Sequence, residues 1–379
     1  MTEDNSKEIR SKVTEEGFIE ISIVKVSVPI PKEDEVLIKI EASPINPSDL
    51  GKLISFAAIL DDIQLSGSGK EMVTKIRLNQ KLMRSLIPRL NQSISLGNEG
   101  AGTVIDAGAQ AKHLIGKTVG LAGGGMYSQY KCLPGSSCLV MDDGTSPREA
   151  ASSFVNPLTA LGFIETMKLE NQSAIIHTAS ASNLGKMLIK ICNTDSVPLV
   201  NIVRSSKQVE ILKEMGAKIV CNTSDETFMN DLVEAIKKTG ANLAFDATGG
   251  GNEGMLPGQI LSAMEIAALS SSDEYQIYGS NVHKQVYIYG GLDRSPTILN
   301  RSFGMQWSLG GWLLMPMINR LGMEKFKKMR ERVAKEIKTT FASEYSRNIS
   351  FHEMLQPEII RSYALQSTGG KFLVEPHKD

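Results

Sequence analysis

A turn of small side chains follows an apolar segment in the middle of the chain. The segment AIIHT is followed directly by ASASNLG, and we place the start of a helix at Gly185. Backbone N–H groups at a helix N-terminus attract phosphate, and small side chains let the backbone approach it. The sequence therefore predicts a pyrophosphate site at Ala179, Ser180, Ala181 and Ser182. The turn is not a GxGxxG sequence, so an ordinary capped turn from strand to helix remains the alternative.

Basic and hydroxyl side chains follow the next apolar segment. LVNIV leads into Arg204, Ser205, Ser206 and Lys207. A dinucleotide site for NAD usually has an acidic residue at this strand end, where it binds the ribose 2′-hydroxyl. A guanidinium and hydroxyls instead suit a dianionic 2′-phosphate. This strand end favours NADPH over NADH, and a surface arginine beside a helix cap at Ser206 is the alternative.

The elements that must position these residues alternate between strands and helices from Ser173 onward. Continuous apolar segments are separated by segments with helical spacing, among them Leu184–Cys192 and Thr227–Thr239. This pattern is typical of a parallel sheet covered by helices on both faces. The handedness of such connections predicts a doubly wound domain, in which ligands bind at the carboxyl ends of the strands.

The first third of the chain has a different pattern. VLIKIEA alternates apolar and polar side chains, and two more short segments, Gly100–Gly108 and Gly116–Gly123, are bounded by glycine. Short strands with frequent turn residues predict a small β-barrel or sandwich. Within this region a GSGK turn interrupts the strands, and the residues after it predict a helix around Glu71–Leu86.

Two segments near the end of the chain complete the pattern. Arg320–Lys338 predicts one amphipathic helix with a strongly basic polar face. A solvated helix face explains these charges better than a phosphate or RNA contact does. Phe341–Asp379, which contains FLVEP, predicts a return to strands.

Length and charge limit the classes of protein to consider. A chain of 379 residues suggests two domains, and 41 Lys and Arg against 42 Asp and Glu give a net charge of −1. This balance gives no electrostatic argument for a nucleic-acid partner. No apolar run approaches the roughly 20 residues of a membrane span, and the polar start is unlike a targeting peptide. The four cysteines form no CxxC pair, so we expect free thiols and a cytoplasmic protein.

Taken together in order, these segments resemble a known family, the medium-chain dehydrogenase/reductase superfamily, in its zinc-independent quinone reductase-like and enoyl reductase-like branch. The matching segments are EVLIKIEASPINPSDL, LGNEGAGTVIDAGAQAKHLIGKTVGL, GGGMYSQY, VNPLTALGFIE, AIIHTASASNLGKMLIKI, NIVRSSKQVEILKEMGAKIV, LAFDATGGG, VYIYGG and TGGKFLVEP. The resemblance does not extend over Gly51–Leu96 or about Ser270–Lys284, which we interpret as insertions.

The resemblance implies an α/β fold with a GroES-like β-barrel catalytic domain and a doubly wound Rossmann domain. The catalytic domain would comprise residues 1–153 and 340–379, with an insertion at about 51–96, and the NADP-binding domain residues 154–339. The active site would lie in the cleft between them. The resemblance also implies a homodimer joined through the edges of the Rossmann sheets. Its edge strand would lie within Asn300–Leu314, and a core strand explains the same residues equally well.

The resemblance further implies a set of site residues. The residues that would bind the cofactor are Asn156, Thr159, Ala179, Ser180, Ala181, Ser182, Asn183, Leu184, Gly185, Arg204, Ser205, Lys207, Thr248, Gly249, Tyr289, Gly290 and Gly291. Candidate catalytic residues are Asn46 and Asn98, which could hydrogen-bond a carbonyl oxygen, and Tyr127, which could do the same or donate a proton. Packing beneath the cofactor is the alternative role of Tyr127, and we expect Glu99 and Asp49 to be structural.

Zinc alcohol dehydrogenases of the same superfamily need a cysteine and a histidine where this chain has Ser48 and Asn98. Neither side chain suits Zn²⁺, which takes thiolate, imidazole or carboxylate, so we expect no zinc. Without a Lewis acid, reduction of an activated acceptor is easier than oxidation of an alcohol.

Three functions remain open. The first is NADPH-dependent hydride transfer to a small-molecule acceptor such as a quinone, an electrophilic carbonyl or an enone. The second is reduction of a 2-enoyl thioester, although relatives with that activity use a tyrosine shortly after the NPSD segment and Gly51–Leu96 contains none. The third is an NADPH-binding protein with little turnover, serving as a redox sensor or structural partner.

Overall fold

A computed structural model describes residues 6–67, 71–270, 276–366 and 370–378. The strands in these residues are β1 (Ser6–Val13), β2 (Phe18–Val26), β3 (Glu35–Pro44), β4 (Ala58–Ser66), β5 (Val73–Leu78), β6 (Ser93–Ser95), β7 (Glu99–Ala107), β8 (Thr118–Ala122), β9 (Tyr130–Pro134), β10 (Leu139–Val140), β11 (Ile175–His177), β12 (Leu199–Val203), β13 (Ile219–Asn222), β14 (Leu243–Asp246), β15 (Lys284–Ile288), β16 (Trp307–Gly311), β17 (Arg347–Ile349) and β18 (Phe372–Val374).

The α-helices in the same residues are α1 (Pro47–Leu53), α2 (Pro147–Ala150), α3 (Val155–Leu169), α4 (Asn183–Thr194), α5 (Ser206–Glu214), α6 (Phe228–Thr239), α7 (Leu256–Leu269), α8 (Leu314–Leu321), α9 (Met323–Lys335), α10 (Phe351–Met354) and α11 (Pro357–Ala364). The chain is therefore a mixed α/β protein. None of the helices in the described residues is long and apolar enough to cross a membrane.

The chain divides into two compact units. The first comprises Met1–Val155 and Arg330–Asp379, and the second comprises Asn156–Met329. The second transition thus falls earlier than residue 339, where the sequence-based boundary was placed. It lies within α9, whose helical pattern continues across it and gives no sequence signal of a boundary.

Several strands of the first unit, such as β2 and β5, alternate buried and partly buried side chains. Its described strands form one sheet in the order β4-β5-β2-β1-β6 and another in the order β10-β8-β7-β3-β18-β17, with β9 also paired to β3. In β2 the side chains of Ile19, Ile21 and Ile23 are all buried, because side chains two residues apart share a face of a sheet. A second apolar cluster forms around Val36, Ile38 and Ile40 of β3.

The second unit contains a parallel sheet with the strand order β13-β12-β11-β14-β15-β16 among the described residues. Each neighbouring pair in this order is parallel. Strands β11 to β14 are mainly apolar and almost wholly buried, as expected when both faces of a sheet are covered. Strand β16 lies at the end of this order, so the segment Asn300–Leu314 does contain an edge strand.

The helix predicted around Glu71–Leu86 is wrong. The structure has β5 there, followed by a 3-10 helix at Gln80–Arg89. Thr74, Ile76 and Leu78 alternate into the core and β5 pairs with β2, so the period of two in this segment outweighs its helical propensity. The GSGK turn lies mostly outside the described residues, because only Gly67 of it is described.

Other predicted elements near the C-terminus also need correction. The single helix predicted over Arg320–Lys338 is two helices, since Gly322 has a φ of +82° and ends α8 before α9 begins. The segment after Phe341 contains the helices α10 and α11 as well as strands. The helix cap predicted at Ser206 lies one residue earlier, at Ser205, whose backbone is extended.

Candidate functional site

The strand order of the second unit reverses beside β11. β12 and β13 lie on one side of β11, and β14, β15 and β16 lie on the other. Successive connections leave such a point in opposite directions, which opens a crevice at the carboxyl ends of the strands. The turn after β11 therefore occupies the place where a doubly wound sheet binds its ligand.

This turn leads into α4 through a capped N-terminus. The sequence predicts that this helix starts at Gly185. In the structure it begins at Asn183, so Gly185 lies in its first turn. The hydroxyl of Ser182 accepts a hydrogen bond from the N–H of Gly185 at 3.1 Å. The serine cap satisfies one N–H of the first turn, and an anion placed at this end would meet the positive end of the helix dipole.

The conformation of the turn depends on close backbone approach. Ala179 has a φ of +49°, a conformation that few residues other than glycine adopt. A Cβ atom at Gly185 would lie 2.2 Å from the carbonyl oxygen of Ser180, so only glycine fits there. The N–H of Ser180 donates to the carbonyl of Ile202 on β12 at 3.2 Å. The side chains of Ser180 and Ala181 are buried, so these two residues offer backbone rather than side-chain groups to a ligand.

Asp246 organises the adjoining turn and is a residue that sequence analysis did not single out. Its buried carboxylate accepts hydrogen bonds from the hydroxyl of Thr178 at 2.6 Å and the N–H of Thr248 at 2.9 Å. It also accepts one from the N–H of Gly249 at 2.8 Å. A carboxylate with several N–H and O–H donors fixes the backbone around it. Its position at the end of the LAFD strand was the available signal.

The end of β15 is held against the turn that follows β14. The N–H of Tyr289 donates to the carbonyl of Asp246 at 2.9 Å, and a Cβ atom at Gly290 would lie 2.6 Å from the carbonyl oxygen of Ala247. The structure therefore brings Thr248, Gly249, Tyr289 and Gly290 together beside the turn after β11. Gly291 follows and is exposed.

Arg204 lies at the carboxyl end of β12, as predicted, with an exposed side chain. Its N–H donates to Oε1 of Gln208 at 3.1 Å, and its carbonyl accepts from the hydroxyl of Ser224 at 2.8 Å. These contacts fix its backbone and leave the guanidinium outside the core. The pKa of the Asp293 carboxyl is lowered by hydrogen bonds from Ser295 and, to a smaller extent, by the charge of Arg204.

The remaining cofactor candidates lie on helices. Ser205 caps α5 and Lys207 is exposed in its first turn, while Leu184 is buried in α4. Asn156 and Thr159 lie near the start of α3, with Asn156 half-buried and Thr159 buried.

The first unit holds a buried polar cluster around Glu99. One carboxylate oxygen accepts from Nδ2 of Asn46 at 2.9 Å, and the other accepts from the N–H groups of Phe154 and Val155 at 2.8 Å each. Glu99 thus binds mainly backbone, as expected of a structural residue. Oδ1 of Asn46 is buried without a hydrogen-bond partner among the described atoms.

Asp49 ties two candidate residues together. Its carboxylate accepts from the N–H of Asn46 at 2.8 Å and from the N–H of Asn98 at 2.8 Å. Burial raises the pKa of Asp49 to about 7, against the opposing effect of these hydrogen bonds. The anchoring role expected of this residue matches these contacts. Nδ2 of Asn98 donates to the hydroxyl of Ser48 at 3.0 Å, so the two positions that hold zinc ligands in zinc alcohol dehydrogenases bond to each other.

Tyr127 lies inside the core of the first unit. It is wholly buried, its hydroxyl donates to the carbonyl of Pro44 at 3.1 Å, and burial raises its pKa. A packing role fits this position better than the predicted role as a proton donor, because the hydroxyl faces protein on all sides.

A hydrogen-bonded chain that sequence analysis missed also lies in the first unit, near enough to Glu99 and Asp49 for their charges to act on Lys371. The Lys371 ammonium donates to the hydroxyl of Ser152 at 2.6 Å, and that hydroxyl lies 2.9 Å from the hydroxyl of Tyr345. Burial lowers the pKa of Lys371, which makes its ammonium a better proton donor. No sequence motif links the three positions. Within the ranges that the structure describes, no group of three or more His, Cys, Asp or Glu side chains could hold a metal ion.

No protein-family model matches the chain. Among curated relatives, a mitochondrial enoyl-[acyl-carrier-protein] reductase of Caenorhabditis elegans is 26% identical over 233 residues, which are 58% of this chain and 56% of that protein. A chloroplastic quinone-oxidoreductase homolog of Spinacia oleracea is 24% identical over 51% of this chain and 54% of that protein. The chain thus spans about half the length of the curated relatives it matches.

Solved structures match over nearly the whole chain. An NADPH:quinone reductase-like protein from Mesorhizobium loti superposes with a TM-score of 0.71 and 23% identity, covering 99% of this chain and 100% of the other. An enoyl thioester reductase from Candida tropicalis, in a mutant form, gives a TM-score of 0.65 and 16% identity, covering 98% and 99%. The resemblance predicted from the sequence is confirmed. The chain has the fold of the medium-chain dehydrogenase/reductase superfamily, and the curated proteins it resembles include quinone reductase-like and enoyl reductase-like members.

Proposed function

We propose that the chain is an NADPH-dependent oxidoreductase, with the second unit as a Rossmann cofactor-binding domain and the first as a GroES-like catalytic domain. The observation that carries this proposal is the capped turn between β11 and α4, placed where the strand order reverses. Its Gly185 admits a close backbone approach that any side chain would block. Solved proteins of the same fold include one complexed with NADPH.

The residues of the second unit fit the parts of the cofactor. The N-terminus of α4, with Ser182 and Asn183, would hold the pyrophosphate. Arg204, Ser205 and Lys207 would hold the 2′-phosphate through charge-assisted hydrogen bonds. Thr248, Gly249 and Gly290 would line the groove toward the nicotinamide, which supplies the hydride when the cofactor is bound.

The acceptor that we propose is a quinone or a similar electrophilic carbonyl or enone. In the first unit, the Nδ2 atoms of Asn46 and Asn98 donate to Glu99 and Ser48, and the second hydrogen of each amide is the group that could be donated to its oxygen. We propose that no zinc takes part, because Ser48 and Asn98 are poor ligands for it. Reduction of a quinone places charge on oxygen and needs no proton delivered to carbon, which suits a chain without the tyrosine expected after the NPSD segment.

A 2-enoyl thioester is the second candidate acceptor. Several of the curated relatives are mitochondrial enoyl-[acyl-carrier-protein] reductases. A proton must then reach carbon, and Lys371 with its lowered pKa is the group in the first unit that best suits proton donation. NADPH oxidation assayed in parallel with a model quinone, an enone and crotonyl-CoA distinguishes the candidates. Turnover with none of them would favour an NADPH-binding protein of little activity.

The cofactor proposal is tested by titrating the protein with NADPH and with NADH while following nicotinamide fluorescence. We expect NADPH to bind at least about tenfold more tightly, and Arg204→Ala to remove that margin, since a charge-assisted contact contributes roughly 1.5–3 kcal/mol. Lys213→Ala, at the other end of α5, is the control and should bind both nucleotides as the wild type does. Binding of neither nucleotide to the wild type would refute the proposal.

We also propose that the chain forms a cytoplasmic homodimer through the edge of β16. Leu313, just beyond this strand, is 69% exposed, and exposed apolar residues beside a strand edge favour association. Sedimentation velocity should give a dimer for the wild type and a monomer for Leu313→Glu. Ile30→Glu, which changes an exposed apolar residue of the first unit, should stay dimeric. A wild-type monomer at micromolar concentration would contradict the proposal.

A further inference from the structure

His177 is a buried histidine that the proposed chemistry does not use. It ends β11, directly before the turn proposed to hold the pyrophosphate, and its side chain has no exposed surface. Burial lowers its pKa to about 3, so the imidazole is neutral at physiological pH. A neutral imidazole has one N–H donor and one bare nitrogen acceptor, and the two nitrogens of His177 contact different parts of the site.

One nitrogen faces the pyrophosphate turn. The hydroxyl of Ser180 donates to the carbonyl oxygen of His177 at 2.7 Å and lies 3.3 Å from its Nδ1. The hydroxyl of Ser180 has a single hydrogen, and this hydrogen lies in the shorter contact, to the carbonyl oxygen. The hydrogen between Nδ1 and Ser180 must therefore be on Nδ1, which identifies the Nδ1–H tautomer.

The other nitrogen faces the end of β15. Nε2 of His177 lies 2.8 Å from the hydroxyl of Tyr289. Because Nε2 is bare in this tautomer, the Tyr289 hydroxyl donates to it. Tyr289 is therefore a donor toward the protein interior, and its hydroxyl hydrogen is not available to a substrate.

Aromatic packing fixes the rings that make these contacts. The rings of His177 and Tyr289 are nearly parallel, at 18°. Phe163 on α3 contacts Tyr289 edge-on, with 4.8 Å between centroids, and stacks on Phe245 at 4.0 Å. Rings packed on their faces and edges have few alternative positions. A shift of Tyr289 must then be transmitted to His177 and from there to Ser180.

We propose that His177 is a positioning residue that couples the nicotinamide end of the cofactor site to its pyrophosphate end, through the hydrogen-bonded chain Tyr289–His177–Ser180. This inference rests on the proposed binding of NADPH to the second unit. It predicts that removing the hydroxyl of Tyr289 changes how the turn after β11 binds phosphate, even for a ligand that has no nicotinamide.

The test compares NADPH with 2′-phospho-ADP-ribose, which lacks the nicotinamide, by isothermal titration calorimetry. Tyr289→Phe keeps the ring and should weaken binding of the nicotinamide-free ligand by about three- to tenfold, the effect of one lost hydrogen bond. His177→Phe should weaken it by a similar factor, and the double variant should show no further loss, because both changes break the same chain.

The matched control is Tyr287→Phe. Tyr287 lies on the same strand, but its hydroxyl donates to the carboxylate of Glu170 at 2.6 Å and has no contact with His177 in the described structure. This variant should bind the nicotinamide-free ligand as the wild type does. If Tyr289→Phe weakens NADPH alone, or changes neither ligand, the coupling is refuted while the proposed function stands. If the wild type binds neither ligand, both proposals fail.

A spectroscopic measurement keeps the inference testable even if a variant fails to fold. In wild-type protein with ¹⁵N-labelled histidine, the signals of His177 should show the Nδ1–H tautomer and should not titrate between about pH 5 and 8. Substituting the other four histidines one at a time, at positions 113, 283, 352 and 377, assigns the signals that remain to His177. A signal from the Nε2–H tautomer, or a charged imidazole at neutral pH, would overturn the proposal.

Discussion

The hydroxyl of Thr178 donates to the carboxylate of Asp246 at 2.6 Å and thereby joins the ends of β11 and β14. The same hydroxyl accepts from the N–H of Ala247 at 2.9 Å. These two strands lie beside the reversal of strand order, so their ends form the floor of the proposed cofactor site. This buried side-chain pair therefore contributes both to the stability of the protein and to the geometry of the proposed site.

Thr178→Val should destabilise the protein with little change in side-chain volume. The substitution leaves the N–H of Ala247 without a partner and removes one donor from Asp246, at a cost of about 1–3 kcal/mol. Urea unfolding measures this as a lower midpoint. Thr239→Val is the control, since its hydroxyl bonds a carbonyl of its own helix at 2.8 Å, and its midpoint should barely change. Equal midpoints for both variants would contradict the structural role of Thr178.

The pKa of about 7 for Asp49 predicts how stability depends on pH. A carboxyl whose pKa is higher in the folded than in the unfolded protein keeps its proton on folding. Stability from this group is therefore greatest near pH 4 and falls as the pH rises to about 7, by up to about 4 kcal/mol. Asp49→Asn should flatten this part of the curve, as measured by denaturant unfolding at several pH values.

The control for this prediction is Asp143→Asn, which changes a carboxylate whose side chain is 90% exposed. Its stability curve should keep the slope of the wild type. If Asp49→Asn also keeps that slope, the carboxylate is charged in the folded protein and its two N–H donors outweigh its burial.

The carboxylate of Asp293 should weaken the binding of NADPH but not that of NADH. Arg204 lies close enough to lower the pKa of this carboxyl, so a 2′-phosphate bound by the arginine would meet a second negative charge. Asp293→Asn is expected to raise affinity for NADPH by about three- to tenfold and to leave NADH unchanged. Glu234→Gln, on the exposed face of α6, should change neither. An equal gain for both nucleotides would show that the carboxylate does not act on the 2′-phosphate.

The sequence predicts those elements whose signals are local. The helical spacing predicts a helix over Thr227–Thr239, and the structure places α6 at Phe228–Thr239, followed by Gly240 at a φ of +70°. A helical period and a glycine with positive φ are both properties of neighbouring residues. The same holds for β12, a five-residue strand whose four apolar residues need no partner to be recognised.

Features that depend on distant pairing were not predictable in this way. The strand β5 is stabilised by pairing with β2, about fifty residues away, and its residues alone also suited a helix. The role of Asp246 depends on Thr178, 68 positions away. Likewise, nothing near Tyr127 in the sequence indicates that its hydroxyl bonds to Pro44. Local patterns thus located the turn after β11, but not the side chains that hold it.

Gly185 provides the sharpest test of that turn, because the space around it is closed by backbone. A Cβ atom there would lie 2.2 Å from the carbonyl oxygen of Ser180, and a main-chain atom cannot move aside as a flexible side chain can. Gly185→Ala should shift the turn and cost about 1–3 kcal/mol of stability, as overpacking does. Its affinity for NADPH should fall further than that of Gly291→Ala, where the added Cβ meets no atom within 4 Å. For both variants, calorimetric titration measures the affinity for NADPH and thermal unfolding measures the stability. Unchanged NADPH affinity in a folded Gly185→Ala variant would show that the cofactor does not approach the backbone at this turn.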